Sequence, residues 1–248
     1  VATGTGAIYV AMKALEIPPK SDVIISPVTC SGAFSCITEQ GHTPILVDSE
    51  KNSYNTNLEQ ILKRVTKKTK LNQLTHAAGE PVNIEPIIKY AKSKKIYVLE
   101  DCSQAIGAKI KNKLVGNFGE IAAFSTMYRK NLAANSSGGL VFTNKSKKLY
   151  RKIISYSDRG KILWNKRLDL RDPQYSLFPA LNWNTDEFSC AIGLANLRRL
   201  KKTNKLRNRF LGKFIKILKN ESRVCYPYNY HNNFSPFYFP IFVDLKKI

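Results

Sequence analysis

The segment Phe124-Ser125-Thr126-Met127-Tyr128-Arg129-Lys130-Asn131-Leu132 follows an apolar run and sets a hydroxyl five residues before a lysine. Earlier in the chain, Glu100-Asp101-Cys102-Ser103-Gln104 closes a second apolar run, Ile96-Tyr97-Val98-Leu99. A deprotonated amine adds to carbonyls, a carboxylate keeps a pyridine nitrogen protonated, and hydroxyls with helix-start amides hold a phosphate. Those are the three needs of pyridoxal 5'-phosphate. Lys130 offers the amine, Asp101 the carboxylate and Ser125 a phosphate donor, while Gln104 supplies an amide for the ring's phenolic oxygen. Gly4-Thr5-Gly6-Ala7 opens a helical pattern, where free N–H groups, the Thr5 hydroxyl and the helix dipole favour an anion. Taken singly, each has a plainer use: Asp101 as a turn cap, Lys130 as a solvated lysine, the glycines as a turn. Their joint placement favours one pocket.

The elements that would carry these residues alternate between two periodicities. Ala7, Ile8, Val10, Ala11, Ala14 and Leu15 fit one helical face ended by Pro18-Pro19, and Val23-Ile24-Ile25 is a strand. A helix through Cys36 to Gln40, a strand from Thr43 to Asp48, and a helix from Asn57 to Val65 follow. Next come strand Leu71–Thr75, helix Ile84–Ser93 and strand Ile96–Glu100. This alternation predicts an α/β fold with a mostly parallel sheet covered by helices, in which ligands sit beyond the strands' carboxyl ends. Gly107 to Gly116 reads as a hairpin, Ile121–Ser125 and Gly139–Thr143 as strands, and Lys145–Tyr156 as a helix. Gly160 to Asn182 reads as a long active-site loop. Glu187–Leu200 is a helix, continuous or kinked into Lys201–Lys219, and a smaller region begins near Glu221. The expected division is a large cofactor-binding domain over 1–200, with a connecting helix and the start of a small domain over 201–248. Both ends read as cut, which makes the chain an internal piece of a longer protein.

Forty Lys and Arg against 18 Asp and Glu give a formal net charge of +22, which raises nucleic acid or anionic membranes as partners. The cations are spread along the chain and dense only from Leu197 to Lys219, without the interleaved aromatics of a single-strand binder. Nucleic acid is therefore disfavoured, and anionic substrates suit the charge equally well. The apolar runs are all too short for a membrane span, so a cytoplasmic protein is expected. Five scattered cysteines, Cys30, Cys36, Cys102, Cys190 and Cys225, lack metal-ligand spacing and favour reduced thiols. No metal is expected.

In order along nearly the whole chain, Gly4-Thr5-Gly6-Ala7, Gly41-His42-Thr43-Pro44, His76-Ala77-Ala78-Gly79-Glu80-Pro81, Glu100-Asp101-Cys102-Ser103-Gln104-Ala105, Phe124-Ser125 with Lys130-Asn131, and Leu181-Asn182-Trp183-Asn184 form a set. With it the chain resembles the DegT/DnrJ/StrS family of sugar aminotransferases, of fold-type-I architecture. The resemblance implies Lys130 as Schiff-base lysine and proton shuttle, Asp101 on the pyridine nitrogen, and Gln104 near the ring oxygen. It implies Gly4, Thr5 and Ser125 on the phosphate, and Asn182 reaching the phosphate of a partner subunit, hence a homodimer with shared sites. Family members move an amino group, usually from glutamate, to a keto group of a nucleotide-linked sugar. Relatives with histidine in place of the lysine are dehydratases, and Lys130 argues against that branch. The other reading is a degenerate homologue that binds partners through its basic surface.

Two residues and one strand depart from the pattern. Cys30 stands where many members stack an aromatic on the cofactor ring, a job Phe34 would then inherit. Asn184 replaces a frequent arginine that grips anionic groups. Leu71-Asn72-Gln73-Leu74 is polar for a central strand and costs stability unless paired. His76 has a local alternative use, holding the loop before Gly79.

Overall fold

A computed structural model describes residues 1–51, 53–165, 167–225 and 233–247. Helix α1 (Gly4–Leu15) starts where the Thr3 side chain accepts the Gly6 N–H at 2.7 Å and ends where Glu16 turns left-handed. It is buried nearly all round, from Gly6 through Leu15, so its side chains anchor one layer of the core. Burying Ile8, Val10, Met12 and Leu15 stabilises the fold by about 1.5–3 kcal/mol each.

Strands β1 (Asp22–Ile25), β2 (Thr43–Leu46), β3 (Thr69–Thr75), β4 (Tyr97–Asp101), β7 (Ile121–Ser125) and β8 (Gly139–Phe142) form a six-stranded sheet in the order β2-β1-β3-β4-β7-β8. All neighbours are parallel except β7 and β8, which run antiparallel. Helices α2 (Ser31–Glu39), α3 (Leu58–Leu62), α4 (Ile84–Lys94) and α5 (Lys147–Ser157) connect or follow these strands. β5 (Lys109–Ile110) and β6 (Lys113–Leu114) make the expected hairpin.

Alternate residues of each strand face opposite sides of the sheet. Val23, Ile25, Leu71, Leu99, Ile121 and Ala123 meet α1 and α2 on one face. Ile24, Leu74 and Val98 meet Ile61 of α3 and Ile84, Ile87 and Ala91 of α4 on the other. The polar pair in β3 divides the same way. Gln73 donates to the Ala33 carbonyl at 3.0 Å, while Asn72, in register with Ile24 and Val98, is fully buried with both amide atoms unpartnered.

Helix α6 (Glu187–Leu218) is one continuous element, capped by Asp186, whose carboxylate accepts the Ser189 N–H at 2.7 Å. It spans both segments that the sequence left continuous or kinked. β9 (Val224–Cys225) and β10 (Phe242–Val243) pair antiparallel beyond it. The expected loop from Gly160 to Asn182 is ordered by two isolated bridges, Asp158 to Asn182 and Lys161 to Ser176. Among the described residues, no helix is long and apolar enough to cross a membrane. Cys30, Cys36, Cys102 and Cys190 are free thiols, and the Cys225 side chain lies outside the described residues.

Candidate active site

The parallel strands bring their carboxyl ends to one edge, and most of the residues expected to do chemistry lie there. Asp101 ends β4 with 3% exposure, and its Oδ1 accepts the Ser103 N–H at 3.0 Å. That turn-capping bond is the plainer use expected of an aspartate. Here it also fixes the rotamer of a nearly buried carboxylate and leaves the second oxygen available.

Ser125 ends β7, and α1 begins against it. A Cβ on Gly4 would stand 2.5 Å from Ser125 Cβ and 2.8 Å from its Oγ, so only glycine lets the hydroxyl approach the helix start this closely. The first intrahelical bond is made by the Ala7 N–H to the Thr3 carbonyl, which leaves the first-turn amides of Gly4 and Thr5 for an anion. Thr5 itself is exposed, and its Oγ1 rests over Gly32 in the first turn of α2, where a Cβ would come within 2.5 Å. Gly4 and Ser125 are thus in direct contact, while the adjacent Thr5 turns its hydroxyl to the first turn of α2.

Lys130 sits on the loop that leaves β7, in a turn closed by its N–H to the Met127 carbonyl at 2.8 Å. Burial pushes its ammonium below the ordinary lysine range, while the charges of Asp101 and Cys30 pull it back up. An amine held this way releases its proton more readily than a surface lysine and keeps a carboxylate in electrostatic reach. Cys30 is exposed and opens α2 without a side-chain cap bond, and Phe34 one turn later is also exposed.

Gln104 is held by its Oε1, which accepts the Ala78 N–H at 2.8 Å, so its NH2 is the end left for a ligand. Ala78 and Gly79 have φ of 56° and 95°, a sharp bend after β3. Asn182 is exposed and accepts the Asn184 N–H on its Oδ1 at 3.0 Å, and the neighbouring Trp183 carbonyl accepts the Ala2 N–H. Asn184 in turn bonds Asp158, whose carboxyl burial raises, but Arg159 and Asn184 together bring it below its ordinary value.

Two functional groups were not legible as such. Glu100, beside Asp101, is fully buried: its Oε1 accepts the Phe118 and Gly119 N–H groups, and its Oε2 the Gly116 N–H, all at 2.7 Å. Its Oε2 also lies 3.1 Å from His76 Nε2, and His76 Nδ1 accepts the Val82 N–H, which leaves the ring proton on Nε2 for Glu100. Burial raises the Glu100 carboxyl, but His76 and the backbone donors outweigh it and hold the group below its ordinary value. His76 thus holds its loop, the local use that its position allowed. The second group is Asn131, whose amide reaches Ser235 Oγ at 2.8 Å, 104 residues away.

A model of the DegT/DnrJ/EryC1/StrS aminotransferase family matches residues 1–247. The chain belongs to this family. GDP-perosamine synthase of Escherichia coli O157:H7 is 33% identical over 199 residues, 80% of this chain and 52% of that protein. The UDP-N-acetyl-3-dehydro-alpha-D-glucosamine 3-aminotransferase of Acidithiobacillus ferrooxidans is 35% identical over 68% of this chain and 47% of its own length. A crystal structure of an aminotransferase from Psychrobacter cryohalolentis superposes with a TM-score of 0.88 at 28% identity, covering 99% of this chain and 65% of that one. The chain spans about half the length of the curated relatives it matches. Pyridoxal phosphate is the family's cofactor. The donor set fits it: a cradle that a Cβ on Gly4 would fill, a nearly buried carboxylate at Asp101 and a lysine whose proton is loosened by burial.

Proposed function

We propose that this chain is the cofactor-binding part of an aminotransferase that moves an amino group from an amino acid, glutamate, to a keto group of a nucleotide-linked sugar. Such a reaction belongs to cell-surface polysaccharide or secondary-metabolite sugar biosynthesis, and the names of the relatives support the substrate class. The observation that carries the reading is the arrangement at the strands' carboxyl ends, with Asp101 closing β4, Ser125 closing β7 against Gly4, and Lys130 in the turn that follows.

When bound, the cofactor supplies an electron sink for the carbon that loses its proton. Asp101 would hold the pyridine nitrogen in its protonated form, and Gly4, Thr5 and Ser125 would grip the phosphate. The Gln104 NH2 would donate to the ring oxygen. Lys130 Nζ would hold the cofactor and, once released, would serve as the general base and acid that moves a proton to and from the substrate.

A homodimer with shared sites belongs to this proposal, with Asn182 of each copy reaching its partner's phosphate. Exposed apolar side chains in the sequence on either side of it, Leu177, Leu181, Phe188 and Ile192, support self-association. The division into a large domain over 1–200 and a connecting helix with the start of a small domain over 201–248 is likewise proposed. So is a cytoplasmic setting, which suits the free thiols. A groove of about 1040 Å³ beside α6, lined by Lys109, Lys201, Lys205, Arg209, Lys213 and Lys216, favours a second reading, a homologue that binds an anionic polymer without transaminating.

Incubating the protein with glutamate and a panel of nucleotide-linked keto-sugars separates the two. The first reading expects 2-oxoglutarate and an aminated sugar in equal amounts, both lost in Lys130→Ala. Salt-sensitive polymer binding with no amination by any donor would favour the second.

A further inference from the structure

The chain returns from α6 to the sheet edge through Phe234-Ser235-Pro236-Phe237, and this strap is clamped on three sides. The Ser235 N–H donates to the Gly79 carbonyl at 3.1 Å and the Phe237 N–H to the Ala78 carbonyl at 3.3 Å. A Cβ on Gly79 would collide with the Ser235 carbonyl, so the two backbones meet at van der Waals limits. From below, Ser235 is fully buried and its hydroxyl donates to the Ile106 carbonyl at 2.6 Å. From α6, Arg207 Nη1 donates to the Pro236 carbonyl at 3.1 Å and Asn208 Nδ2 to the Phe234 carbonyl at 3.1 Å. Asn131, the residue after Lys130, donates its amide to Ser235 Oγ and lies 3.2 Å from the Pro236 carbonyl.

A short segment fixed by this many bonds is over-determined for its own stability, and what it presents at its end is an aromatic ring. Phe237 lies over Lys130, with Nζ 4.3 Å from the ring centroid. A ring face attracts an ammonium and has no such attraction for a neutral amine. The contact therefore does two things at once: it fixes where Nζ lies and it biases the proton toward the nitrogen. Burial acts in the opposite direction, and the charges facing Lys130 from β4 and from the start of α2 are Asp101 and Cys30.

We propose that Phe237, held by the clamped strap, is a positioning residue for Lys130: its ring fixes the lysine nitrogen at the sheet edge and sets how readily that nitrogen gives up its proton. The proposal rests on Lys130 being the reactive lysine. It also makes the proton affinity of that lysine depend on a segment that follows α6, so movement of the strap would change the lysine's reactivity.

The test is site-resolved amine labelling of the full protein freed of cofactor. A trace of acetic anhydride is applied across pH 6–11, and the Lys130 peptide is quantified by mass spectrometry beside that of exposed Lys111. In Phe237→Leu the labelling midpoint of Lys130 moves down by about half a unit to one unit, which raises its labelling at pH 7 about three- to tenfold. Lys111 stays where it was. Phe237→Trp restores the wild-type midpoint, and as an aromatic replacement it keeps the question answerable should the leucine variant fold poorly. An unmoved midpoint in Phe237→Leu, or equal midpoints in the leucine and tryptophan variants, overturns the proposal. Because this readout needs no cofactor, the outcome is independent of whether wild-type protein takes up pyridoxal phosphate, which tests the functional reading by itself.

Discussion

The Glu80 carboxyl gives the fold a dependence on pH. It is partly buried in the bend after β3, where Ser53 Oγ donates to its Oε2 at 3.0 Å and Asn55 Nδ2 to its backbone carbonyl. Burial, reinforced by the nearby Glu50 carboxylate, pushes its carboxyl from 4.5 up to about 7, against a smaller lowering by Ser53. A carboxyl whose folded value is raised keeps a proton that the unfolded chain sheds. Its stability contribution is fully present below pH 4.5 and is lost as pH rises through about 7. At about 1.36 kcal/mol per unit the shift corresponds to about 3 kcal/mol, and to about 2 kcal/mol after allowing for solvent screening at a partly exposed site. Glu80→Gln has no proton to lose, so at pH 8 it should exceed wild type by about 2 kcal/mol, with the difference vanishing near pH 4.5. Urea unfolding of both proteins at half-unit steps from pH 4.5 to 8 measures this directly. Stability curves that stay parallel over that range, or a variant less stable at pH 8, would rule out a raised Glu80 carboxyl.

Three further substitutions probe the site and its support. Gly4→Ala drives a Cβ to within 2.5 Å of Ser125 Cβ, so affinity for pyridoxal phosphate should fall at least roughly tenfold in an absorbance titration, with little change for pyridoxal lacking the phosphate. Glu100→Gln turns an amide toward backbone donors that the carboxylate accepts, and should cost about 3–5 kcal/mol in urea unfolding; a loss below about 1 kcal/mol contradicts that role. Asn72→Val removes two unpartnered buried amide atoms from the face shared with Ile24 and Val98, and should raise stability by about 1–2 kcal/mol.

Much of the frame was legible because it is local. α1 begins at Gly4 and ends at Leu15 where apolar spacing and Pro18-Pro19 indicated, and β3 forms despite Asn72 and Gln73 because its flanking strands and helices bury it. The antiparallel sense of β8 left no mark on the sequence, since strand direction is set by connection geometry and not by residue pattern. The site divides the same way. Asp101, Ser125 and Lys130 end or follow apolar strands, and Gly4 opens a helix, so their convergence follows from a parallel sheet. Glu100 was hidden because nothing in its own segment distinguishes a buried acceptor of three loop amides from an exposed neighbour of Asp101. The Asn131 to Ser235 bond, 104 residues apart, has no local signal at all.

Lys130 is proposed here as the lysine that holds the cofactor. Borohydride reduction of the protein loaded with pyridoxal phosphate, followed by peptide mass spectrometry, tests it most directly. One pyridoxyl-phosphate addition per chain is expected, on Lys130 and absent after Lys130→Ala. Addition at another lysine with Lys130 unmodified, or no addition to the loaded wild-type protein, would contradict it.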